Sequence, residues 1–114
     1  SRDFFEALVS GSMDMMEIAN INKALSSPVR LQIIAMLADG EQCACHILER
    51  FEITQPTLSH HMHVLCDCHL IRDRKEGRWH YYALNEDYIC CLASFFQELV
   101  QREKRAGQTP CDGC

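Results

Sequence analysis

Past Leu70 the apolar residues of this chain stop recurring at helical spacing and begin to alternate, and that change of period constrains the fold more than any other feature. Ile71 to Lys75 and Arg78 to Leu84 read as two strands around Glu76-Gly77, a hairpin with glycine at its bend. Helical patterns flank it on both sides. Met13 to Leu25 places Met16, Ile18, Ala19, Ile21 and Leu25 at roughly helical spacing, and Ser26-Ser27-Pro28 then offers a cap and an early proline to a second helix, Pro28 to Ala38. That helix reads as burying Leu31, Ile34, Met36 and Leu37, and Asp39-Gly40 ends it. A third helix is expected from about Glu41 to Phe51, with Ile47, Leu48 and Phe51 inward. Thr54-Gln55-Pro56 opens a fourth, to about Cys66, with Leu58, Met62 and Leu65 inward and Thr57, Ser59, His60, His61 and His63 outward. Asn85 to Asp87 caps the last helix, whose stripe of Tyr88, Cys91, Leu92, Phe95, Leu99 and Val100, with Phe96 beside it, suits core packing or a homodimer seam.

Two helices joined by a short turn and followed by a hairpin make a winged helix-turn-helix, mainly α with a small β-hairpin. Its second helix presents a polar face to the major groove of DNA. A net charge of −5 does not exclude that partner. The hairpin gathers Arg72, Arg74, Lys75 and Arg78 against Asp73 and Glu76, and phosphate contact is local. Candidate base readers are Gln55, Thr57, Ser59 and His60; Arg74 and Arg78 are the candidate phosphate or minor-groove contacts. A homodimer would set two reading helices about 34 Å apart on an inverted repeat of double-stranded operator DNA. Trp79, Tyr81 and Tyr82 read as strand packing.

The 114 residues suit one compact domain. No stretch approaches the ~18 consecutive apolar residues of a membrane span, and a signal peptide's basic-then-apolar order is missing, so a cytoplasmic chain with no membrane partner is expected. Gly11-Ser12-Met13 looks like a cloning junction, which makes residues 1–12, with Phe4, Phe5, Leu8 and Val9, an appended segment. Residues 13–105 then form the DNA-binding and dimerisation domain, and 106–114 a flexible tail.

Eight cysteines fall into four close pairs: Cys43 and Cys45, Cys66 and Cys68, Cys90 and Cys91, Cys111 and Cys114. In a reducing compartment they serve as ligands, redox groups or small buried hydrophobes rather than bridges. Thiolates select thiophilic ions. In a regular helix, however, residues two apart point about 200° away from each other, so Cys43 and Cys45 can share an ion only at a helix end.

Ala24 to Leu31, Glu41-Gln-Cys-Ala-Cys45, Thr54 to Leu65 and Arg74 to Tyr82 together resemble, in order and spacing, the arsenic repressor (ArsR/SmtB) family. The resemblance covers Met13 to about Val100. It implies a homodimeric winged-helix repressor, not an enzyme, that releases operator DNA when a metal or metalloid binds. It also implies that Cys43 and Cys45 hold trivalent arsenic or antimony as inducer. Some arsenic-responsive relatives carry a third cysteine where this chain has Leu48, so Cys90, Cys91, Cys111 and Cys114 are candidate further ligands. Cys66 and Cys68 match no usual ligand position. The zinc-sensing pattern is missing, since Tyr88 to Arg105 contains no histidine. Cadmium or lead sensing and a thiol redox switch are the alternatives. Cys111-Asp-Gly-Cys114 mimics an oxidoreductase pair in spacing alone, because no strand precedes it.

Overall fold

A computed structural model describes residues 13–107. The residues 1–12 expected to be appended, and the Cys111–Cys114 pair, lie outside that range. In order come α1 (Met15–Ala24), α2 (Pro28–Leu37), β1 (Gln42–Cys43), α3 (Ala44–Glu49), α4 (Gln55–Asp67), β2 (Ile71–Glu76), β3 (Trp79–Leu84) and α5 (Glu86–Ala106). The three strands form one antiparallel sheet in the order β1-β3-β2.

Helix starts follow local chemistry. Asp14 and Glu17 close a capping box on α1, with side-chain to backbone bonds of 2.8 and 3.4 Å. Ser27 and Thr54 cap α2 and α4 by accepting from the backbone N–H groups of Arg30 and Thr57, and a proline stands in the first turn of each. The core gathers Ile21, Ile33, Ile47, Met62, Leu65 and Leu70, all fully buried. Leu58, Met62 and Leu65 face inward as their spacing predicts.

Four expectations need correction. Helix α2 buries Ile33 and Leu37, while Leu31 is half-exposed, because Pro-Val-Arg-Leu-Gln-Ile-Ile-Ala-Met-Leu is apolar on nearly every face and its period names no single one. Helix α1 buries Ile18, Ile21 and Ala24 and leaves Met16 and Ala19 exposed. The third helix begins at Ala44, not Glu41, since Gln42 and Cys43 pair with Tyr82 and Tyr81 of β3. The hairpin bend falls on Gly77-Arg78, closed by the pair Glu76 and Trp79. Gly77 sits there at φ +61°, where a side chain would be strained.

Asn85 stands at the N-cap of α5, but its side chain makes no capping bond. Its Oδ1 accepts instead from Arg72 Nη2 at 3.0 Å, which fastens the base of β2 to the last helix. Helix α5 has no fully buried residue among its 21. Phe96, Leu99 and Val100 stay 41–47% exposed, as do Met15 at 37% and Met16 at 71% on α1.

Candidate functional site

Cys43 ends β1 and is also the N-cap of α3, with extended backbone at φ −67°, ψ 142°. Cys45 lies one residue inside the helix. Because Cys43 is outside the helix, the 200° opposition of a regular turn does not apply, and the two Sγ atoms stand 2.8 Å apart. The contact splits the two thiols. Cys45 as hydrogen-bond donor pulls Cys43 below the usual thiol range, and the same bond pushes Cys45 above it. The pair therefore holds one readily formed thiolate and one thiol. Two sulfurs on a tetrahedral ion lie about 3.8 Å apart, and on a pyramidal trivalent ion somewhat less, so bridging requires the pair to open by roughly 0.5–1 Å.

The other described cysteines do not join them. Among the described residues no three His, Cys, Asp or Glu side chains converge closely enough to hold one ion. Cys90 is exposed on α5, and Cys91 is partly buried against the core. Cys66 and Cys68 are half-buried. Burial first, and then Asp73, push Cys66 up to about 11. Burial also raises Cys68, whose Sγ donates to the Leu65 carbonyl at 3.4 Å. Both remain protonated packing thiols near neutral pH.

Helix α4 presents Gln55, Thr57, Ser59 and His60 to solvent. Gln55 and Ser59, together with Arg78, line a groove that begins at Cys45. Thr57 Oγ1 accepts from Thr54 Oγ1 at 3.0 Å and keeps its own proton to donate. His60 sits apart, on the wall of a second cleft shared with Lys23, Arg30 and Tyr88. His61, expected outward, is partly buried against Arg30, whose Nη1 is 3.0 Å from its Nδ1. Arg30 in turn donates to the Ala24 carbonyl, so the pair braces α1, α2 and α4 together. Burial, then Arg30, push His61 below the usual histidine range.

On the wing, the basic ridge is partly neutralised within the molecule. Glu41 holds Arg74 in a two-pronged grip, Oε1 to Nη2 at 2.7 Å and Oε2 to Nε at 3.1 Å, and Glu76 takes Nη1 at 2.9 Å. The guanidinium also lies 4.6 Å from the Tyr81 ring centre. These bonds hold the Glu41 carboxyl below the usual carboxylate range. Arg72 faces Asp87 at 3.8 Å, and Asp73 pairs with His80 at 2.9 Å. Among the described residues, Lys75 and Arg78 are the wing cations without such a partner. Glu41 is the participant that sequence reasoning missed, while Lys75 was counted in the basic ridge but not among the candidate contacts. Glu41 lies 33 residues from Arg74, with no local signal joining them.

Residues 27–73, spanning α2 to the start of β2, match the family described as bacterial regulatory protein, arsR family. Over 77 residues the chain is 48% identical to an arsenical resistance operon repressor of Staphylococcus xylosus, covering 68% of this chain and 74% of that protein. It belongs to the ArsR family. An arsenical resistance operon repressor of Staphylococcus aureus is 49% identical over 73 residues, 64% of this chain and 70% of its own length. The homodimeric winged helix-turn-helix DNA-binding domain of a possible ArsR-family regulator from Mycobacterium bovis superposes with a TM-score of 0.63 at 26% identity, over 90% of this chain and 99% of that one. This ArsR-family chain is thus a winged helix-turn-helix DNA-binding regulator of transcription rather than an enzyme. No helix among its described residues is long and apolar enough to cross a membrane.

Proposed function

We propose that this chain is a cytoplasmic homodimeric repressor that binds an inverted-repeat operator and releases it when Cys43 and Cys45 take up trivalent arsenic or antimony. The observation that carries the reading is the 2.8 Å Sγ pair placed across the junction of two DNA-facing elements. Cys43 belongs to the wing sheet through its pairing with Tyr81, and Cys45 to α3, the first helix of the helix-turn-helix. An ion that widens the pair by roughly 0.5–1 Å therefore shifts α3 against the wing, and a ligand changes DNA affinity only through such a difference between states. Glu41, next to β1, carries the same displacement to Arg74. The names of the Staphylococcus relatives support a metalloid inducer. The exposed Met15, Met16, Phe96, Leu99 and Val100 support a dimer seam along α1 and α5.

Operator gel shifts test this. Apo protein binds the inverted repeat, arsenite releases it, and Cys43→Ser and Cys45→Ser stay bound at the same dose. Release of both variants at the wild-type dose would remove the pair from the mechanism, and Cys90→Ser, Cys91→Ser and truncation before Cys111 then locate the ligands. Cadmium and lead, run alongside, test the other thiophilic inducers. A redox switch is favoured by the lowered Cys43 thiol in contact with Cys45. Release by peroxide, with a mass loss of two hydrogens and no arsenic bound, would select it.

A further inference from the structure

We infer that Trp79, at the tip of the wing, is a DNA contact: its indole lies along the sugar-phosphate strand that passes between α4 and the wing, ring face on deoxyribose and N–H donating to a phosphate oxygen. The inference rests on the operator-binding reading and deepens it by naming an uncharged contact on that surface. Of Trp79, Tyr81 and Tyr82, packing within the chain accounts for two. Tyr82 is 9% exposed in the core, and Tyr81 lies under the Arg74 guanidinium. Trp79 stays 51% exposed, with Glu76 as its cross-strand partner. The Glu76 carboxylate is turned to Arg74, and among the described residues the indole has neither a ring neighbour nor an acceptor for its N–H. An indole half in water forgoes apolar burial that an occupant from outside the chain would recover.

The place of the side chain selects that occupant. Gly77, at φ +61°, turns the hairpin so that Glu76 and Trp79 close it, which sets the indole beside Arg78, a wing cation without an acid partner among the described residues. Trp79 and Arg78 form one bank of a groove of about 570 Å³, and Gln55 and Ser59 of the reading helix stand on the other. With α4 in the major groove of DNA, the backbone strand bounding that groove runs between helix and wing. Such a strand offers two surfaces, phosphate oxygens that accept hydrogen bonds and deoxyribose carbons that do not. The mixed walls match both: Arg78, Gln55 and Ser59 supply donors, and Trp79 supplies an apolar face with a donor at its edge. A purely apolar guest would leave the donors unanswered, and a free ion would leave the indole in water. The contact reads no base; it fixes the register of the wing on the duplex. Because the indole is uncharged, it adds affinity without adding to the phosphates neutralised.

Trp79 is the single tryptophan, so its fluorescence reports the contact in the unmodified full chain. Saturation with an unlabelled inverted-repeat duplex should shift its emission and shield it from quenching by acrylamide, a neutral quencher that DNA does not repel. In anisotropy titrations of the labelled duplex, Trp79→Ala should weaken binding roughly tenfold, about 1.4 kcal/mol, with the slope of log K against log salt unchanged. Trp79→Phe, which keeps an aromatic face and loses the N–H, should recover part of that loss. Acrylamide access unchanged on saturated operator, or wild-type affinity in Trp79→Ala, would overturn the contact and leave operator binding standing. A slope flattened in Trp79→Ala would make the indole a brace for Arg78 and would overturn the contact as well. Failure of the wild-type chain to bind the inverted repeat would overturn both readings.

Discussion

The salt dependence of operator binding counts the phosphates a protein neutralises, and the wing geometry gives that count in advance. Four cations stand on β2 and its bend, but Arg72 is engaged by Asn85 and Asp87, and Arg74 by Glu41 and Glu76. Helix α4 contains neither lysine nor arginine. Lys75 and Arg78 remain, two per wing and four per dimer, which predicts a slope of about −3.6 in log K against log salt. Affinity should then fall roughly 150-fold between 50 and 200 mM salt. Were Arg72 and Arg74 to leave their acids for phosphates, the count would double, the slope would approach −7, and the loss would reach about 20,000-fold. Anisotropy titrations of a labelled inverted-repeat duplex across potassium chloride concentrations separate the two. Arg78→Ala should flatten the slope by about 1.8, and Glu41→Gln combined with Glu76→Gln, by freeing Arg74, should steepen it by about as much. A wild-type slope near −7, or an unchanged slope in Arg78→Ala, would refute the claim that the ion pairs persist on DNA.

Three other outcomes follow from local chemistry. Thr54→Ala removes the cap of the reading helix and should cost about 1 kcal/mol, lowering Tm by roughly 5 °C in a calorimetric scan. His61 is held neutral by burial and Arg30, so the unfolded chain binds its proton more readily than the folded one. Stability should therefore be full above a pH of about 6.5 and decline below it, and His61→Gln should flatten that decline in urea titrations; stability rising on acidification would contradict the assignment. Under limiting iodoacetamide at mildly alkaline pH, peptide mapping should find Cys43 modified well before Cys66, whose thiol is pushed up to about 11.

Much of this molecule is written locally. Ser27-Pro28 and Thr54-Gln55-Pro56 announce two helix starts, and the alternation after Leu70 announces the wing, because capping and period are short-range effects. Leu58, Met62 and Leu65 could be placed inward because polar residues separate them. The ten nearly all-apolar residues of α2 could not be oriented, for want of that contrast. Strand β1 escaped notice because two residues carry no period, yet it is what brings Cys43 round to Cys45. The need for a helix end at that pair was legible; the strand that supplies it was not. The capture of Arg74 by Glu41 is tertiary, and a count of wing charges overstates the basic ridge because it cannot see that partner. The half-burial of Cys66 and Cys68 depends likewise on how α4 meets the sheet.

The central claim is that the thiol pair and the DNA-reading surface are two sites sharing one conformational equilibrium. Linkage makes that claim reciprocal: the factor by which arsenite weakens operator binding must equal the factor by which operator weakens arsenite binding. Arsenite affinity measured by calorimetry on free dimer and on operator-saturated dimer tests it most directly. The account predicts weaker arsenite binding on the operator by the same factor that anisotropy gives for DNA, with Cys43→Ser abolishing both. Equal arsenite affinity in the presence and absence of operator would contradict it.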